Sequence, residues 1–257
     1  MQKEKLQNSK YKSIFISDLH LGTPGCSADE LCDFLKNNTC DRLYLVGDIV
    51  DGWALSKKAF WPQSHSNVVR RILTAAKRGT KVYWIVGNHD EVLRNWFDFR
   101  LQFGRIRILN EYTHHAINGK KYLVTHGDIF DPLMNSGKFL MHFGDFIYAL
   151  LMRFNRYVNW VRRKLNLKYW SLSAYLKAQT KETIDMLFKY KQTMVAYTKK
   201  KGYDGVICGH IHTPAIEVID GIEYMNDGDW VESLTALVET HEGEFKLVKY
   251  YKDRLYI

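Results

Sequence analysis

Five short segments of the sequence place aspartate, asparagine or histidine beside glycine or beside one another. Together they offer carboxylate, amide and imidazole groups, and none of the five contains cysteine. Such oxygen and nitrogen donors suit Mn²⁺, Fe²⁺, Zn²⁺ or Co²⁺ better than they suit a structural zinc site built from cysteine. The sequence therefore predicts a metal centre. The segments are Ser17-Asp18-Leu19-His20, Gly47-Asp48, Gly87-Asn88-His89-Asp90, His126-Gly127-Asp128 and Gly209-His210-Ile211-His212.

A pair of cations is the chemistry that this donor set favours. A carboxylate such as Asp48 has two oxygens and can bridge two metals. Two metals about 3.5–4 Å apart can hold both the attacking and the leaving oxygen of a displacement at phosphorus, and a single zinc lowers the pKa of its water to about 7. His210 and His212 would point to the same face of a strand. If the backbone leaves the strand at that point, the two histidines can instead bind adjacent metals.

Each of the five segments follows an apolar run that is typical of a buried central strand. Because the loops beyond the carboxyl ends of strands converge in α/β sheets, we expect residues that are distant in sequence to meet there. The runs are KSIFIS (12–17), RLYLVGD (42–48), KVYWIVGN (81–88), KYLVTHGD (121–128) and GVICGH (205–210).

Helical patterns separate the early strands. We predict helices over Ala28–Asn37 and Val68–Arg78, and this alternation implies an α/β layer architecture. Short strands and turns over 216–250 are expected to complete a second sheet, which gives a sandwich with helices outside. Apolar residues recur at helical spacing over 132–202, so this stretch is predicted to form an insert of about three helices, or a lid.

The composition describes a basic globular chain. Its 257 residues are 46% hydrophobic and 25% charged, which suffices for one large domain or for a core domain with an insert and argues against wholesale disorder. The net charge of +9 favours anionic partners, namely phosphorylated substrates, nucleic acid or an acidic membrane surface. No signal segment and no long apolar run are visible, so we expect a cytoplasmic protein without a spanning helix. Its cysteines are then expected to be reduced, at Cys26, Cys32, Cys40 and Cys208.

The five motifs, in this order over positions 18–212, resemble the calcineurin-like metallophosphoesterase superfamily. The resemblance implies an α/β fold, a four-layer α-β-β-α sandwich with a helical lid insertion. The core would comprise residues 10–131 and 203–257, and the lid residues 132–202. It also implies two divalent metal ions, with Mn²⁺ as the first choice and Fe²⁺, Zn²⁺ or Co²⁺ as alternatives.

The resemblance further implies a role for each motif residue. Asp48 would bridge the two metals. His89 would be the general acid for the leaving oxygen or would bind phosphoryl oxygens, and Asp90 would orient His89. The first metal would be bound by Asp18, His20 and His212, and the second by Asn88, His126 and His210.

The strings GDIVDGW, HGDIFD and GHIHTP resemble the UDP-2,3-diacylglucosamine diphosphatases of lipid A assembly. In that group a helical lid covers the acyl chains, and the enzymes bind the inner membrane peripherally with Mn²⁺. The implied reaction hydrolyses a nucleotide-lipid diphosphate to UMP and a lipid phosphate at the inner face of the cell membrane. The basic and aromatic residues of 153–170 suit an anionic lipid interface. Expected substrate contacts are Trp53, Asp131, Ser171, Ser173, Lys177 and Lys181.

Several alternatives stay open at the level of sequence. The established diphosphatases carry arginine at the place of His89, so a nucleotide sugar or another diphosphate is an alternative substrate. A phosphodiesterase or nuclease could use the same metal pair, although the aromatic insert favours acyl chains over nucleic acid. A non-enzymatic scaffold could lose ligands, whereas every expected ligand is present. His89 could make only a structural hydrogen bond, the aromatic residues of the insert could simply pack on the core, and residues 226–230 are expected to form a turn.

Overall fold

The computed structural model describes residues 9–94, 102–103, 106–131, 162, 164 and 181–250. Contacts divide the chain into two compact units, residues 1–127 with 195–257 and residues 128–194. Every strand in the described part of the chain lies in the first unit, and so do all the predicted metal ligands.

Twelve strands and four α-helices are formed by the described residues. In chain order the strands are β1 (Ser9–Ile16), β2 (Asn38–Val46), β3 (Lys81–Ile85), β4 (Gln102–Phe103), β5 (Ile106–Leu109), β6 (Glu111–His115), β7 (Lys121–Thr125), β8 (Gly205–Cys208), β9 (Ala215–Ile219), β10 (Ile222–Asn226), β11 (Thr235–Glu239) and β12 (Phe245–Lys249). The helices are α1 (Ala28–Asn37), α2 (Gly52–Lys57), α3 (Gln63–Lys77) and α4 (Lys181–Lys200), and a 3₁₀ turn spans Asp128–Phe130.

The strands form two sheets. The larger has the order β12-β11-β1-β2-β3-β5-β4, and its central strands β1, β2, β3 and β5 are parallel. The smaller has the order β6-β7-β8-β10-β9, with β7, β8 and β10 parallel. In both sheets, therefore, the parallel strands that precede the motifs end at a common edge.

The larger sheet is buried on both faces, which explains its continuous apolar runs. Ile14 and Ile16 of β1 pack in a cluster that includes residues of α1 and α3, such as Phe34 and Ile72. Phe15, which lies between them in sequence, belongs to a second cluster formed by residues of both sheets. The described residues thus form helix, sheet and sheet layers of an α/β sandwich.

The predicted elements agree with the structure except at two places. Helix α1 has the predicted bounds, whereas α3 begins at Gln63 rather than Val68, because its first turn is polar and gives no apolar signal. The prediction that residues 216–250 complete the second sheet is wrong for β11 and β12. These strands join the larger sheet, where Val238 pairs with Ile14 and β11 covers the edge of β1 that would otherwise be open.

Apart from residues 162 and 164, the predicted insert is described only at its carboxyl end, where α4 spans Lys181–Lys200. Ser171, Ser173 and Lys177 lie outside the described residues, so the lid and its predicted substrate contacts stay predictions. No helix in the described part of the chain is both long enough and apolar enough to cross a bilayer. All four cysteines are free thiols, as predicted.

Candidate metal site

The predicted ligands follow the parallel strands β1, β2, β3, β7 and β8, at the edge where those strands end. Their side chains form two clusters of potential metal donors. In each cluster the donor atoms lie within 4.8 Å of one another. One cluster contains Asp18, His20 and His212, and the other contains Asp48, His126 and His210.

The first cluster is arranged around the buried carboxylate of Asp18. Its Oδ1 lies 3.2 Å from Nε2 of His212 and 3.9 Å from Nε2 of His20. The other oxygen, Oδ2, accepts hydrogen bonds from Ser17 Oγ at 2.6 Å and from the backbone N–H of His210 at 2.9 Å. One oxygen of Asp18 is therefore fixed by the protein, while the other faces the two imidazoles.

The second cluster reveals the proton arrangement of His126. Its Nδ1 lies 2.9 Å from the carbonyl oxygen of Val46, and since a carbonyl can only accept, Nδ1 carries the proton. In the neutral ring Nε2 then presents a lone pair, 3.3 Å from Oδ2 of Asp48. Two electron-pair donors at this distance favour a cation between them.

Asp48 connects the two clusters. Its Oδ2 lies 3.3 Å from His126 in the second cluster and 3.9 Å from Nε2 of His20 in the first. Its Oδ1 accepts the backbone N–H of His89 at 2.9 Å. This is the position that a bridging carboxylate requires.

Asn88 lies on the loop whose next residue, His89, donates its backbone N–H to Asp48. The Asn88 side chain is buried, and its Oδ1 has no hydrogen-bond partner among the described residues. A buried amide oxygen left unbonded is costly. A metal ion would satisfy this oxygen, so the donor set fits a pair of divalent cations.

The backbone at the site is strained. Positive φ angles occur at five of the predicted ligands, between 49° and 70°. Such angles cost residues other than glycine about 1–3 kcal/mol each and persist only where the surrounding structure enforces them. The residues are Asp18, His20, Asp48, His210 and His212. His210 and His212 lie beyond the end of β8, and this left-handed backbone sends them to different clusters.

Glycine is required where the ligand loops approach one another. A Cβ on Gly47, whose φ is +87°, would collide with the ring of His126, and one on Gly87 would collide with Asp48. A Cβ on Gly209 would lie 2.6 Å from Oδ2 of Asp18. These glycines allow the donors to come within bonding distance of shared cations.

Opposite charges stabilise each other within the two clusters. Burial acts to raise the pKa of Asp18 and Asp48, but the positive charge that His212 and His126 carry when their rings are protonated outweighs it, so both pKa values lie below the ordinary aspartate value. Burial acts to lower the pKa of His20, but its hydrogen bond to Asp51 and the charge of Asp48 raise that pKa to about 9. The site therefore strongly favours positive charge among its carboxylates.

Asp51 is a site residue that the sequence analysis did not single out. Its Oδ2 lies 3.1 Å from Nδ1 of His20 and 3.0 Å from Nδ1 of His89. Its Oδ1 accepts the N–H of Ala54 at 2.7 Å and so caps α2. In the sequence, an aspartate before a short helix predicts a helix cap at Asp51. It does not predict that the same carboxylate contacts two histidines.

The predicted contact between Asp90 and His89 is wrong. The carboxylate of Asp90 accepts from the backbone N–H groups of Gly87 and Ile49 and from Nε1 of Trp84. It therefore fixes the loop that carries Asn88, whereas Asp51 orients the His89 ring.

Two substrate-contact candidates have described side chains, and they differ in what the structure shows. The Trp53 ring packs against the His89 ring with a centroid distance of 4.3 Å, and its Nε1 lies 3.3 Å from Glu91. Trp53 therefore borders the metal site. Asp131 follows the 3₁₀ turn in the second unit, where its N–H donates to the carbonyl oxygen of Asp128.

A family model described as calcineurin-like phosphoesterase matches residues 11–214 of the chain. The chain belongs to this family. The phosphoesterase is accordingly a metal-dependent hydrolase, and a dinuclear metal site is the norm of its family. The matched range includes every residue of the two clusters.

Curated relatives align with nearly the whole phosphoesterase. A protein of Haemophilus influenzae (strain PittGG) is 27% identical and covers 92% of this chain and 98% of its own length. A protein of Aliivibrio fischeri is 27% identical and covers 91% of this chain and 99% of its own length. A protein of Xanthomonas campestris is 26% identical and covers 90% of this chain and 96% of its own length. All three bear the name UDP-2,3-diacylglucosamine hydrolase.

Solved structures also align with the phosphoesterase. YfcE, a phosphoesterase from E. coli, gives a TM-score of 0.48 at 15% identity and covers 95% of this chain and 96% of its own. A Vps29 double mutant from Entamoeba histolytica gives 0.47 at 11% identity, with 95% of each chain covered. The assignment to the family rests on the family model and not on these alignments.

Proposed function

We propose that the phosphoesterase hydrolyses the diphosphate of UDP-2,3-diacylglucosamine, or of a similar nucleotide-lipid, to UMP and a lipid phosphate. The observation that carries the reaction type is the pair of donor clusters joined by Asp48. The names of relatives that align over about nine-tenths of the chain support the substrate. Such a reaction would take place at the inner face of the cell membrane, with the protein bound peripherally.

The proposed cofactor is a pair of divalent cations, with Mn²⁺ as the first choice. Asp18, His20 and His212 would hold one cation, and Asn88, His126 and His210 the other, with Asp48 between them. When bound, such a pair activates a water molecule and neutralises charge on the phosphoryl oxygens. The all-oxygen and nitrogen donor set fits this class of metal.

His89 is the proposed proton donor to the leaving group. Its Nδ1 is held by Asp51, so its Nε2 is directed to the side of Asp48 Oδ2, at 3.9 Å. In the reaction a water oxygen adds to phosphorus and gives up a proton to the solvent, the bridging P–O bond breaks, and the proton of His89 Nε2 goes to the leaving oxygen.

Trp53 is the proposed contact for the substrate beside the metals. The flat indole packs on His89 and is only partly buried, so a nucleotide or acyl group can lie against its other face. Asp131, Ser171, Ser173, Lys177 and Lys181 complete the proposed substrate set, as residues of the predicted lid or next to it.

A turnover screen with Mn²⁺, followed by mass spectrometry, tests the substrate. It compares UDP-2,3-diacylglucosamine with simple nucleotide sugars and cyclic dinucleotides. We expect UMP and lipid phosphate from the first substrate, and loss of all turnover in His126→Ala because one donor of the second cation is removed. Full activity of His126→Ala would contradict the metal assignment. Turnover of nucleotide sugars alone would contradict the lipid.

A second candidate is hydrolysis of a different diphosphate or of a phosphodiester. His89 favours it, because the established diphosphatases have arginine at this place and a histidine held by a carboxylate is better suited to proton transfer. Preferential turnover of a cyclic dinucleotide in the same screen would support this candidate.

A further inference from the structure

A basic cleft lies at the opposite edge of the larger sheet from the metal site. Its cavity measures about 610 Å³ and is lined by the first halves of β1 and β2, the start of β3, and the last turns of α1 and α3. Lys10, in this cleft, precedes Asp18 by eight residues of extended chain, which corresponds to about 25 Å. The cleft is therefore separate from the catalytic site.

Positive charge dominates the cleft. Lys10 and Lys12 share Asp41, the one carboxylate among the described residues of the lining, at 3.9 Å and 3.2 Å. Arg42 donates to the carbonyl oxygen of His115. These three cations are therefore held in place by neighbouring groups.

Four further cations of the lining have no ion-pair partner in the described part of the chain. They are Lys36, Arg71, Arg78 and Lys81. Lys36 and Arg78 lie at the ends of α1 and α3, where each helix terminus contributes about half a negative charge. The two partial charges and Asp41 together supply only about two negative charges, whereas the lining carries seven positive side chains. The helix ends therefore do not explain why so many cations gather in the cleft.

We propose that the basic cleft binds phosphate groups, either those of an anionic phospholipid or those of a free oligophosphate. Converging arginine and lysine side chains are the usual recognition elements for phosphate. The cavity has the size of a small-ligand site. None of the described residues that line it is aromatic, so they offer no platform on which a nucleobase could stack.

The test removes two of the unpaired charges in Lys36→Gln/Arg78→Gln. The matched control, Lys77→Gln/Lys200→Gln, removes two exposed charges from the last turns of α3 and α4, outside the cleft lining. Calorimetry with pyrophosphate and sedimentation with phosphatidylcholine vesicles, with or without phosphatidylglycerol, identify the source of the phosphate. A chelator keeps metal out of the catalytic site. A DNA duplex serves as a third ligand.

We expect Lys36→Gln/Arg78→Gln to bind pyrophosphate or phosphatidylglycerol vesicles about 30-fold more weakly than the wild type does. This corresponds to about fivefold for each lost cation. The control should bind as the wild type does, and both variants should hydrolyse an aryl phosphodiester normally. If the double variant does not fold, Lys81→Gln should give about a fivefold loss. Equal losses in the control, no binding of either phosphate ligand, or a loss confined to DNA would overturn the proposal. These outcomes are independent of the catalytic substrate.

Discussion

At the scale of single residues, the site depends on Asp51. One carboxylate oxygen contacts a predicted metal ligand, His20, and the predicted acid, His89, at 3.1 Å and 3.0 Å. Burial acts to raise the pKa of Asp51, but its hydrogen bonds to the two histidines lower that pKa below the ordinary value. Asp51 is therefore ionised and supports both rings.

We predict that Asp51→Asn lowers kcat about 100-fold, because the amide no longer provides the carboxylate that fixes the His89 ring with its Nε2 toward the leaving oxygen. The loss should be smaller for aryl phosphodiesters with acidic leaving groups, which need little proton donation. Steady-state kinetics across a leaving-group series measures this. Glu91→Gln, which changes a carboxylate at the exposed contact with Trp53, is the control and should retain activity. An equal loss for every leaving group would contradict the proton-donor role.

Protonation of His20 should oppose metal binding. Because its pKa is raised to about 9, the ring is protonated at neutral pH without metal, and binding must displace that proton. The affinity for Mn²⁺ should therefore rise up to about tenfold per pH unit between about pH 6 and 8. Titration against a competing chelator at several pH values measures this. A wild-type affinity independent of pH would contradict the assignment.

At the scale of elements, the strand ends and their glycines bring the ligands together. Gly47 follows the last residue of β2 with a left-handed backbone, and the space where a Cβ would lie is filled by the His126 ring. Gly119 has a similar φ of +84°, but nothing lies within 4 Å of the position that its Cβ would take. An alanine at Gly119 would therefore destabilise the fold only through its backbone conformation, whereas an alanine at Gly47 would also collide with the His126 ring.

We predict that Gly47→Ala abolishes tight metal binding and lowers the unfolding free energy by more than Gly119→Ala does. The second substitution should cost only about 1–2 kcal/mol, the penalty of a left-handed alanine. Thermal unfolding and Mn²⁺ titration of both variants test this. Normal metal affinity in Gly47→Ala would show that His126 can move without consequence.

At the scale of the whole sandwich, the two sheets are joined by a buried polar contact. Nε2 of His114 on β6 lies 3.0 Å from Oε2 of Glu239 on β11, and its Nδ1 lies 2.9 Å from the Tyr44 hydroxyl on β2. Burial lowers the pKa of His114 despite the opposing effect of Glu239. The ring is therefore neutral in the folded protein.

Acid should lower the stability of the fold through this buried histidine. Below about pH 6.5 the unfolded chain protonates His114 more readily than the folded chain does, so stability falls as pH falls, by at most about 1.4 kcal/mol per unit. His114→Gln should remove this part of the slope between pH 7 and 5, whereas His115→Gln, at the exposed neighbour, should keep it. Denaturant unfolding of metal-free protein measures both. Identical slopes in the two variants would contradict this prediction.

The sequence by itself determined the donor types, the strands that precede them and the bounds of α1, because apolar periodicity and residue chemistry are local properties. It left open whether His210 and His212 share one metal, and it assigned the support of His89 to its neighbour Asp90. Only the tertiary structure decided these points. A left-handed backbone sends the two histidines to different clusters, and the fold brings Asp51 of one loop against His20 and His89 of two others. Such contacts depend on strand order and loop conformation, and so does the position of β11 beside β1. Neither strand order nor loop conformation can be read from the spacing of residues along the chain.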